Sequence, residues 1–119
     1  MNFNVILTPE FQKNAKRLVK KYPSLKMELN TLLEQLEENP ILGVQIMEGV
    51  YKVRLAIKSK NKGKSGGART IHFIYQTPKA EEIGKVYLLT IYDKSDQDSV
   101  AKASLEEVVE RIKKDSEEE

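Results

Sequence analysis

A dense group of lysines and arginines lies between Tyr51 and Arg69, in the sequence YKVRLAIKSKNKGKSGGAR. This stretch has no carboxylate, and outside it the chain keeps 13 lysines and arginines against all 18 aspartates and glutamates. A chain of nearly balanced charge that gathers its cations in one place is suited to binding a polyanion or a phosphate group. The cations of this stretch are Lys52, Arg54, Lys58, Lys60, Lys62, Lys64 and Arg69.

The spacing of the first two cations predicts a strand with one apolar face and one charged face. Lys52 and Arg54 alternate with Val53 and Leu55, and successive side chains of a strand point to opposite faces. We therefore expect the charged face to bind phosphate. The alternative for this strand is that its charged face is an ordinary solvated one. For the glycine-containing segment 60–67, the alternative is a flexible hairpin loop.

Composition excludes several kinds of chemistry. With no cysteine and one histidine, His72, the chain cannot form disulfides, a histidine acid–base pair or a multi-histidine metal site. His72 lies between Ile71 and Phe73, which is more typical of a packed residue than of a catalyst. No apolar run approaches the ~20 residues that cross a bilayer, and no signal peptide is recognisable. We expect a cytoplasmic protein that uses no metal or cofactor.

Hydrophobic periodicity predicts one α+β domain over residues 1–119, with a frayed acidic tail at about 115–119. Helix caps at Thr8 and Ser24, each followed by an apolar stripe, predict a helical hairpin with Lys16 and Lys20 on its outer side. Strands are predicted at 3–7, 50–57, 68–76 and 85–92, with a linking segment between Gly43 and Gly49 and a terminal helix from Ser104. The order β-α-α-β-β-β-α favours a small, largely antiparallel sheet with the helices on one face.

Several segments also occur in an order and spacing typical of one family. They are KKYPSL at 20–25, the turn NP…G at 39–43, YKVRLAI at 51–57, GKSGGARTIHF at 63–73 and VYLLTIYDKSDQDS at 86–99. Together they resemble the RelE/ParE toxin superfamily over nearly the whole chain. Within it, the resemblance is to the RelE/HigB-like toxins of type II toxin–antitoxin systems, and it implies the RelE-like fold.

The resemblance implies an mRNA interferase, a ribosome-dependent and metal-independent endoribonuclease that cleaves translated mRNA and inhibits translation. We matched the positions at which family members carry their functional side chains. In this chain they are Lys52 and Arg54 on one strand, Arg69 at the start of the next, and Tyr92, Asp93 and Lys94 after the last. Some HigB-like members have histidines near these places, whereas this chain has none there. The predicted RNA-binding residues are Lys16, Lys20, Lys58, Lys60, Lys62 and Lys64.

Metal-free RNA cleavage requires three tasks of these side chains. The 2′-hydroxyl must lose its proton, the phosphorane charge must be stabilised, and the leaving 5′-oxygen must gain a proton. Arg54 and Arg69 are suited to clamp the phosphorane, because a guanidinium binds phosphate oxygens in a bidentate manner. Lys52 is a further electrostatic partner or the base, and Lys94 or Tyr92 is the candidate acid.

The partners implied by the resemblance are mRNA, the ribosome and a cognate antitoxin, expected to carry a helix-turn-helix. Two alternatives remain open at this stage. A ParE-like toxin would share the fold and poison DNA gyrase without cutting RNA. A non-catalytic relative would bind RNA or its antitoxin only, an alternative that the missing histidine acid leaves open.

Overall fold

The computed structural model describes residues 3–60, 66–76 and 84–117 of the chain. It has an α+β architecture in which helices pack on both faces of one five-stranded sheet. In chain order the elements are β1 (Asn4–Leu7), α1 (Pro9–Lys21), α2 (Leu25–Glu38), β2 (Val44–Met47), β3 (Val50–Leu55), a short 3-10 turn (Lys58–Lys60), β4 (Ala68–Tyr75), β5 (Lys85–Asp93) and α3 (Lys102–Glu117).

The strand order across the sheet is β1-β5-β4-β3-β2. The pairs β5-β4, β4-β3 and β3-β2 are antiparallel, but β1 runs parallel to β5. The sheet is therefore mixed. The prediction of a largely antiparallel sheet is correct only for the pairs formed among β2, β3, β4 and β5. A parallel pair requires a long connection, and here the helical hairpin and three further strands lie between β1 and β5.

Strand β2 occupies the segment that the sequence analysis treated as a link. Val44–Met47 forms a hairpin with β3, closed by a turn in which Gly49 has a φ of 75°. This left-handed conformation is easily adopted by glycine and is characteristic of tight hairpin turns. The strand was missed because a run of four residues gives too short a hydrophobic pattern to recognise.

Helix α1 begins as its sequence predicts. The Thr8 hydroxyl accepts a hydrogen bond from the Phe11 amide at 3.3 Å, and Pro9 occupies the first helical position. Helix α2 starts differently, because Ser24 makes no capping bond to its own helix. The Ser24 hydroxyl instead lies 2.9 Å from the Ser59 hydroxyl and accepts from the Ser59 amide at 2.8 Å, so it joins two separate parts of the chain.

The hairpin covers one face of the sheet. Phe11, Leu18, Leu25, Leu32 and Leu36 of the two helices are buried against it. Under them lie apolar side chains of the sheet, including Val53, Leu55, Ile57, Val86 and Leu88. The apolar face predicted for this strand, with Val53 and Leu55, therefore lies beneath the hairpin, and Ile57 lies there too.

Helix α3 packs on the opposite face, so the prediction that all helices share one face is wrong. Leu105 and Val109 are buried there against Ile71, Phe73 and Leu89. Neighbouring residues of β5 alternate between the two apolar clusters, which places the clusters on opposite sides of the strand. The helix also begins at Lys102, two residues before the predicted Ser104 cap.

Candidate functional site

Three of the predicted catalytic side chains form a row across the middle of the sheet. Arg54 of β3 is paired with Arg69 of β4, and Arg69 is paired with Tyr92 of β5. Directly paired residues share a sheet face, and Tyr92 belongs to the apolar cluster under α3. The row therefore lies on the face opposite the helical hairpin, as predicted for Arg54.

Lys52 extends this row on the same face, because it lies two residues before Arg54. It lines a pocket of about 190 Å³ together with Ile71 and Tyr92. The start of α3 closes the pocket with Lys102 and Leu105. The sheet thus brings Lys52, Arg54, Arg69 and Tyr92 into one neighbourhood, beside the N-terminal end of α3.

Exposure decreases along the row from β3 to β5. Arg54 is exposed and Lys52 is partly exposed, whereas Arg69 and Tyr92 are 5% and 4% exposed. One guanidinium nitrogen of Arg69 donates to the Ala68 carbonyl at 3.1 Å. A phosphate approaching from solvent would therefore meet Arg54 first.

Tyr92 keeps its hydroxyl proton in this setting. Burial raises the pKa of the Tyr92 hydroxyl, and the positive charges of Arg69 and Lys94 offset only part of that effect. The hydroxyl donates a long hydrogen bond of 3.3 Å to the Asp98 carbonyl. A protonated hydroxyl is the form that a general acid requires.

Lys94 lies in the turn after β5 and is held by an ion pair. Its ammonium is 2.8 Å from the Asp98 carboxylate, and this contact lowers the pKa of Asp98. The Lys94 backbone amide also donates to the Gly67 carbonyl at 3.0 Å. Lys94 thus lies beside Tyr92, but its charge is directed at Asp98.

Sequence reasoning named Asp93 but did not predict that its carboxylate is buried in a hydrogen-bond network. Asp93 is 1% exposed and accepts hydrogen bonds from Tyr22 (2.7 Å), from the Ser95 amide (2.9 Å) and from the Lys60 ammonium. Burial alone would raise the Asp93 pKa, but the bonds from Lys60, Tyr22 and Ser95 outweigh it and lower the pKa to about 2. Asp93 therefore joins the end of β5 to the hairpin and to the basic segment.

This network buries the Lys60 side chain and engages its ammonium group. The Lys60 side chain is only 8% exposed, and its ammonium also donates to the Ser95 hydroxyl at 2.7 Å. Lys58 is exposed, and its backbone amide donates to the Glu28 carboxylate at 2.8 Å. The other two predicted loop cations, Lys62 and Lys64, lie outside the described residues. Of the described loop lysines, only Lys58 presents an open ammonium.

Lys16 and Lys20 lie apart from the row. Both are exposed on α1, whose helix packs on the other face of the sheet. A single short RNA segment lying along Arg54 and Lys52 would not reach them without passing around the sheet edge. The predicted RNA-binding residues Lys16 and Lys20 thus lie on a different surface from the predicted catalytic cations.

His72 has the environment of a packed residue. It is fully buried, its Nε2 donates to the Pro40 carbonyl at 2.7 Å, and its ring stacks on Tyr51 with centroids 5.7 Å apart. Burial lowers the His72 pKa, and the bond to Pro40 opposes this only in part. Within the part of the chain that the structure describes, Nδ1 has no hydrogen-bond partner.

Comparison with known protein families finds no family model that matches the chain. In the described ranges, no three histidine, cysteine, aspartate or glutamate side chains come together as a metal site would require. No helix among the described residues is long and apolar enough to span a membrane. The case for a function therefore depends on the row of cations and on the sequence resemblance.

Proposed function

We propose that the chain is the toxin of a type II toxin–antitoxin system and acts as a ribosome-dependent, metal-independent endoribonuclease on translated mRNA. The observation that carries this proposal is the row Arg54–Arg69–Tyr92, with Lys52 beside it. The segments that resemble RelE/HigB-like toxins contain these same residues. The expected setting is the cytoplasm, with a helix-turn-helix antitoxin as partner.

The two arginines have different parts in the proposed reaction. Arg54 is exposed and meets the scissile phosphate. Arg69 is buried on the neighbouring strand and adds positive charge to the site. Preorganised charge aimed at a developing anion is usually the largest contribution to catalysis. Because Arg69 is fixed by burial, it needs little reorganisation as the phosphorane forms.

Proton transfer is assigned to the neighbouring side chains. We assign Lys52, which lines the pocket beside Tyr92, to the 2′-hydroxyl as base or electrostatic partner. Tyr92 and Lys94 are the candidate acids for the 5′-oxygen. Each must first exchange its present contact with Asp98 for the substrate, so we propose that the turn 94–98 moves when RNA binds.

The proposal is tested by primer extension on a message translated in vitro with and without the purified protein. Arg54→Ala should lower the cleavage rate by about 10²-fold, the usual effect of removing one such donor, while thermal unfolding stays unchanged because Arg54 is exposed. Arg111→Ala, which removes an exposed arginine from α3, is the matched control and should cleave normally. Full cleavage by Arg54→Ala would contradict the proposed site.

One observation favours a second candidate, a relative that binds RNA without cutting it. Both candidate acids are engaged with Asp98, and Tyr92 is nearly inaccessible. The same translation reaction separates the two candidates. Message that is bound by the protein but remains intact, with binding lost in Arg54→Ala, would favour the non-catalytic relative.

A further inference from the structure

The two carboxylate oxygens of Asp93 bind different parts of the chain. Oδ2 accepts from the Tyr22 hydroxyl at 2.7 Å and lies 4.0 Å from the Lys21 ammonium, both at the end of α1. Oδ1 accepts from the Ser95 amide at 2.9 Å and from the Lys60 ammonium. One oxygen therefore joins β5 to the helical hairpin, and the other joins the 3-10 turn to the turn that follows β5.

The turn after β5 is anchored at its beginning and open at its end. The Ser95 hydroxyl accepts from the Lys60 ammonium at 2.7 Å, and the Lys94 amide donates to the Gly67 carbonyl at 3.0 Å. Both partners lie in parts of the chain distant in sequence. The Asp98 side chain at the other end of the turn is 91% exposed. The first residues of the turn are thus held by the rest of the fold, whereas its last residue projects into solvent.

Lys60 directs its charge at the protein interior. Its side chain is 8% exposed, its ammonium donates to Asp93 and Ser95, and it also lies 5.5 Å from the centre of the Tyr22 ring. A lysine is almost never fully buried unless its charge is paired. Lys58 lies two residues earlier on the same 3-10 turn and is exposed. Two lysines of one turn therefore have different environments.

The anchored residues lie between and beside the two candidate acids. Tyr92 directly precedes Asp93 and Lys94 directly follows it, so the backbone fixed at Asp93 and Ser95 also fixes where both side chains begin. A misplacement of about 1 Å can lower a reaction rate by about 10²-fold. The position of this short segment is therefore important for proton transfer to the 5′-oxygen.

We propose that Lys60 is a positioning residue for the candidate acids. Through Asp93 and Ser95 it fixes the beginning of the turn, so that the turn 94–98 moves about this fixed point and only its exposed end at Asp98 is displaced when RNA binds. The proposal rests on the proposed function, since it assigns Lys60 a part in the same reaction. It differs from the direct RNA contact that the sequence analysis predicted for Lys60.

Two other roles for Lys60 give different kinetic results. A direct contact with RNA would act through affinity, so that its loss would raise KM and reduce the salt dependence of KM. A contribution to stability alone would lower the melting temperature and leave kcat of the folded protein unchanged. A positioning role lowers kcat while KM and its salt dependence stay the same.

The test is cleavage of translated message by the full-length protein, measured by primer extension at a temperature where circular dichroism shows every variant to be folded. Lys60→Met keeps an apolar stem in the buried site and removes the ammonium, and it should lower kcat at least about tenfold with KM unchanged. Lys58→Met is the matched variant, because it removes the exposed cation of the same 3-10 turn. It should raise KM, weaken the salt dependence of KM and leave kcat unchanged.

Two further variants separate positioning from stability. Lys60→Arg retains a charged donor and should restore kcat to within about threefold of wild type. Tyr22→Phe removes the bond to Oδ2, so it should destabilise the protein while the contacts of Oδ1 keep kcat unchanged. The proposal is overturned by an unchanged kcat in Lys60→Met, by a change confined to KM, or by an equal loss of kcat in Tyr22→Phe.

Nuclear magnetic resonance separates this proposal from the proposed function, because it needs neither RNA nor cleavage. Nitrogen-15 relaxation of the Ser95, Asp96 and Gln97 amides should show increased motion in Lys60→Met and wild-type motion in Lys58→Met. A wild-type protein that does not cleave message would contradict the proposed function, whereas increased motion in Lys60→Met would still support the anchoring of the turn by Lys60. Unchanged relaxation in Lys60→Met would overturn the proposal whether or not the wild type cleaves.

Discussion

At the scale of single residues, Asp93 is the most consequential buried charge of the described residues. Its carboxylate receives bonds from Lys60 on the 3-10 turn, Tyr22 at the end of α1 and the Ser95 amide. Removing one partner of a buried ion pair leaves an uncompensated charge in the interior. We therefore expect Asp93 to contribute to stability rather than to touch RNA.

The first prediction concerns Asp93→Asn. This substitution should lower the free energy of unfolding by about 3 kcal/mol, because the Lys60 ammonium loses its charged acceptor while remaining buried. Asp98→Asn is the control, since the Asp98 side chain is 91% exposed and its pair with Lys94 should contribute less than about 1 kcal/mol. Urea unfolding of the three proteins at neutral pH measures both values, and equal losses would contradict the structural role of Asp93.

The pH dependence of this contribution has a definite sign. The pKa of Asp93 is lowered in the folded protein to about 2, whereas an unperturbed aspartate titrates near about 3.9. The stabilisation is therefore complete above about pH 4 and is lost as the pH falls toward about 2. Stability curves of wild type and Asp93→Asn should converge across this interval, and a constant separation would contradict the assigned pKa.

His72 predicts a second pH effect in a different interval. Burial keeps it neutral in the folded protein, while the unfolded chain takes up a proton below about pH 6.5. Stability should therefore fall as the pH drops from about 6.5 toward 5.5, with a slope approaching 1.4 kcal/mol per pH unit. His72 is the chain's one histidine, so His72→Gln should remove this slope. A slope that persists would assign the effect to other groups.

At the scale of elements, the start of α1 is the place where sequence and structure agree most closely. The Thr8 hydroxyl both accepts from the Phe11 amide and donates to the Leu88 carbonyl at 2.7 Å. One side chain thus caps a helix and joins it to β5. Local capping chemistry was sufficient to predict the first contact, but the second depends on the tertiary fold.

A substitution pair tests this cap. Thr8→Ala should lower the free energy of unfolding by about 1–2 kcal/mol, because the Phe11 amide loses its acceptor and the Leu88 carbonyl loses the shorter of its two bonds from Thr8. Thr8→Ser retains the hydroxyl and should lose only a small part of this amount. Thermal unfolding of both variants, followed by circular dichroism, makes the comparison. A serine variant as unstable as the alanine variant would show that the threonine methyl group, and not the cap, is responsible.

The sheet face that α3 covers depends on contacts distant along the chain. The stripe of Leu105 and Val109 shows that α3 has an apolar side, but it does not specify which sheet face that side covers. A useful signal was present in β5, whose run VYLL is apolar at successive positions, a pattern typical of strands buried on both faces. That run indicated a second covering layer, which α3 provides.

The candidate site was predictable by residue but not by arrangement. Alternation placed Lys52 and Arg54 on one face, since that requires only the period of a strand. The adjacency of Arg54, Arg69 and Tyr92 depends on strand register, which follows from the turns and from the bulge between β4 and β5. The Lys60–Asp93 pair joins residues far apart in sequence, and no local pattern indicates it.

At the scale of the whole molecule, the sheet separates two positively charged surfaces. One contains Arg54 and Lys52 on the α3 side, and the other contains Lys16 and Lys20 on the outer side of α1. If the proposed function is correct, the first surface meets the scissile phosphate. The second would then meet a polyanion at some distance from it, for which ribosomal RNA is the natural candidate because the substrate is translated message.

This separation gives the last prediction. Replacing Lys16 and Lys20 together with glutamine should raise KM for cleavage of translated message about tenfold, since phosphate contacts act mainly through affinity. The kcat should change little, because neither side chain approaches the row around Arg54, whereas Arg54→Ala should lower kcat itself. The effect of the double substitution should also diminish as salt is raised, since the lost contacts are electrostatic.

Replacing Lys113 and Lys114 with glutamine removes the same charge from the end of α3 and serves as the control. If the Lys16 and Lys20 substitutions lowered kcat with KM unchanged, the two surfaces would have to act on the same segment of RNA, and the proposed division between them would be wrong.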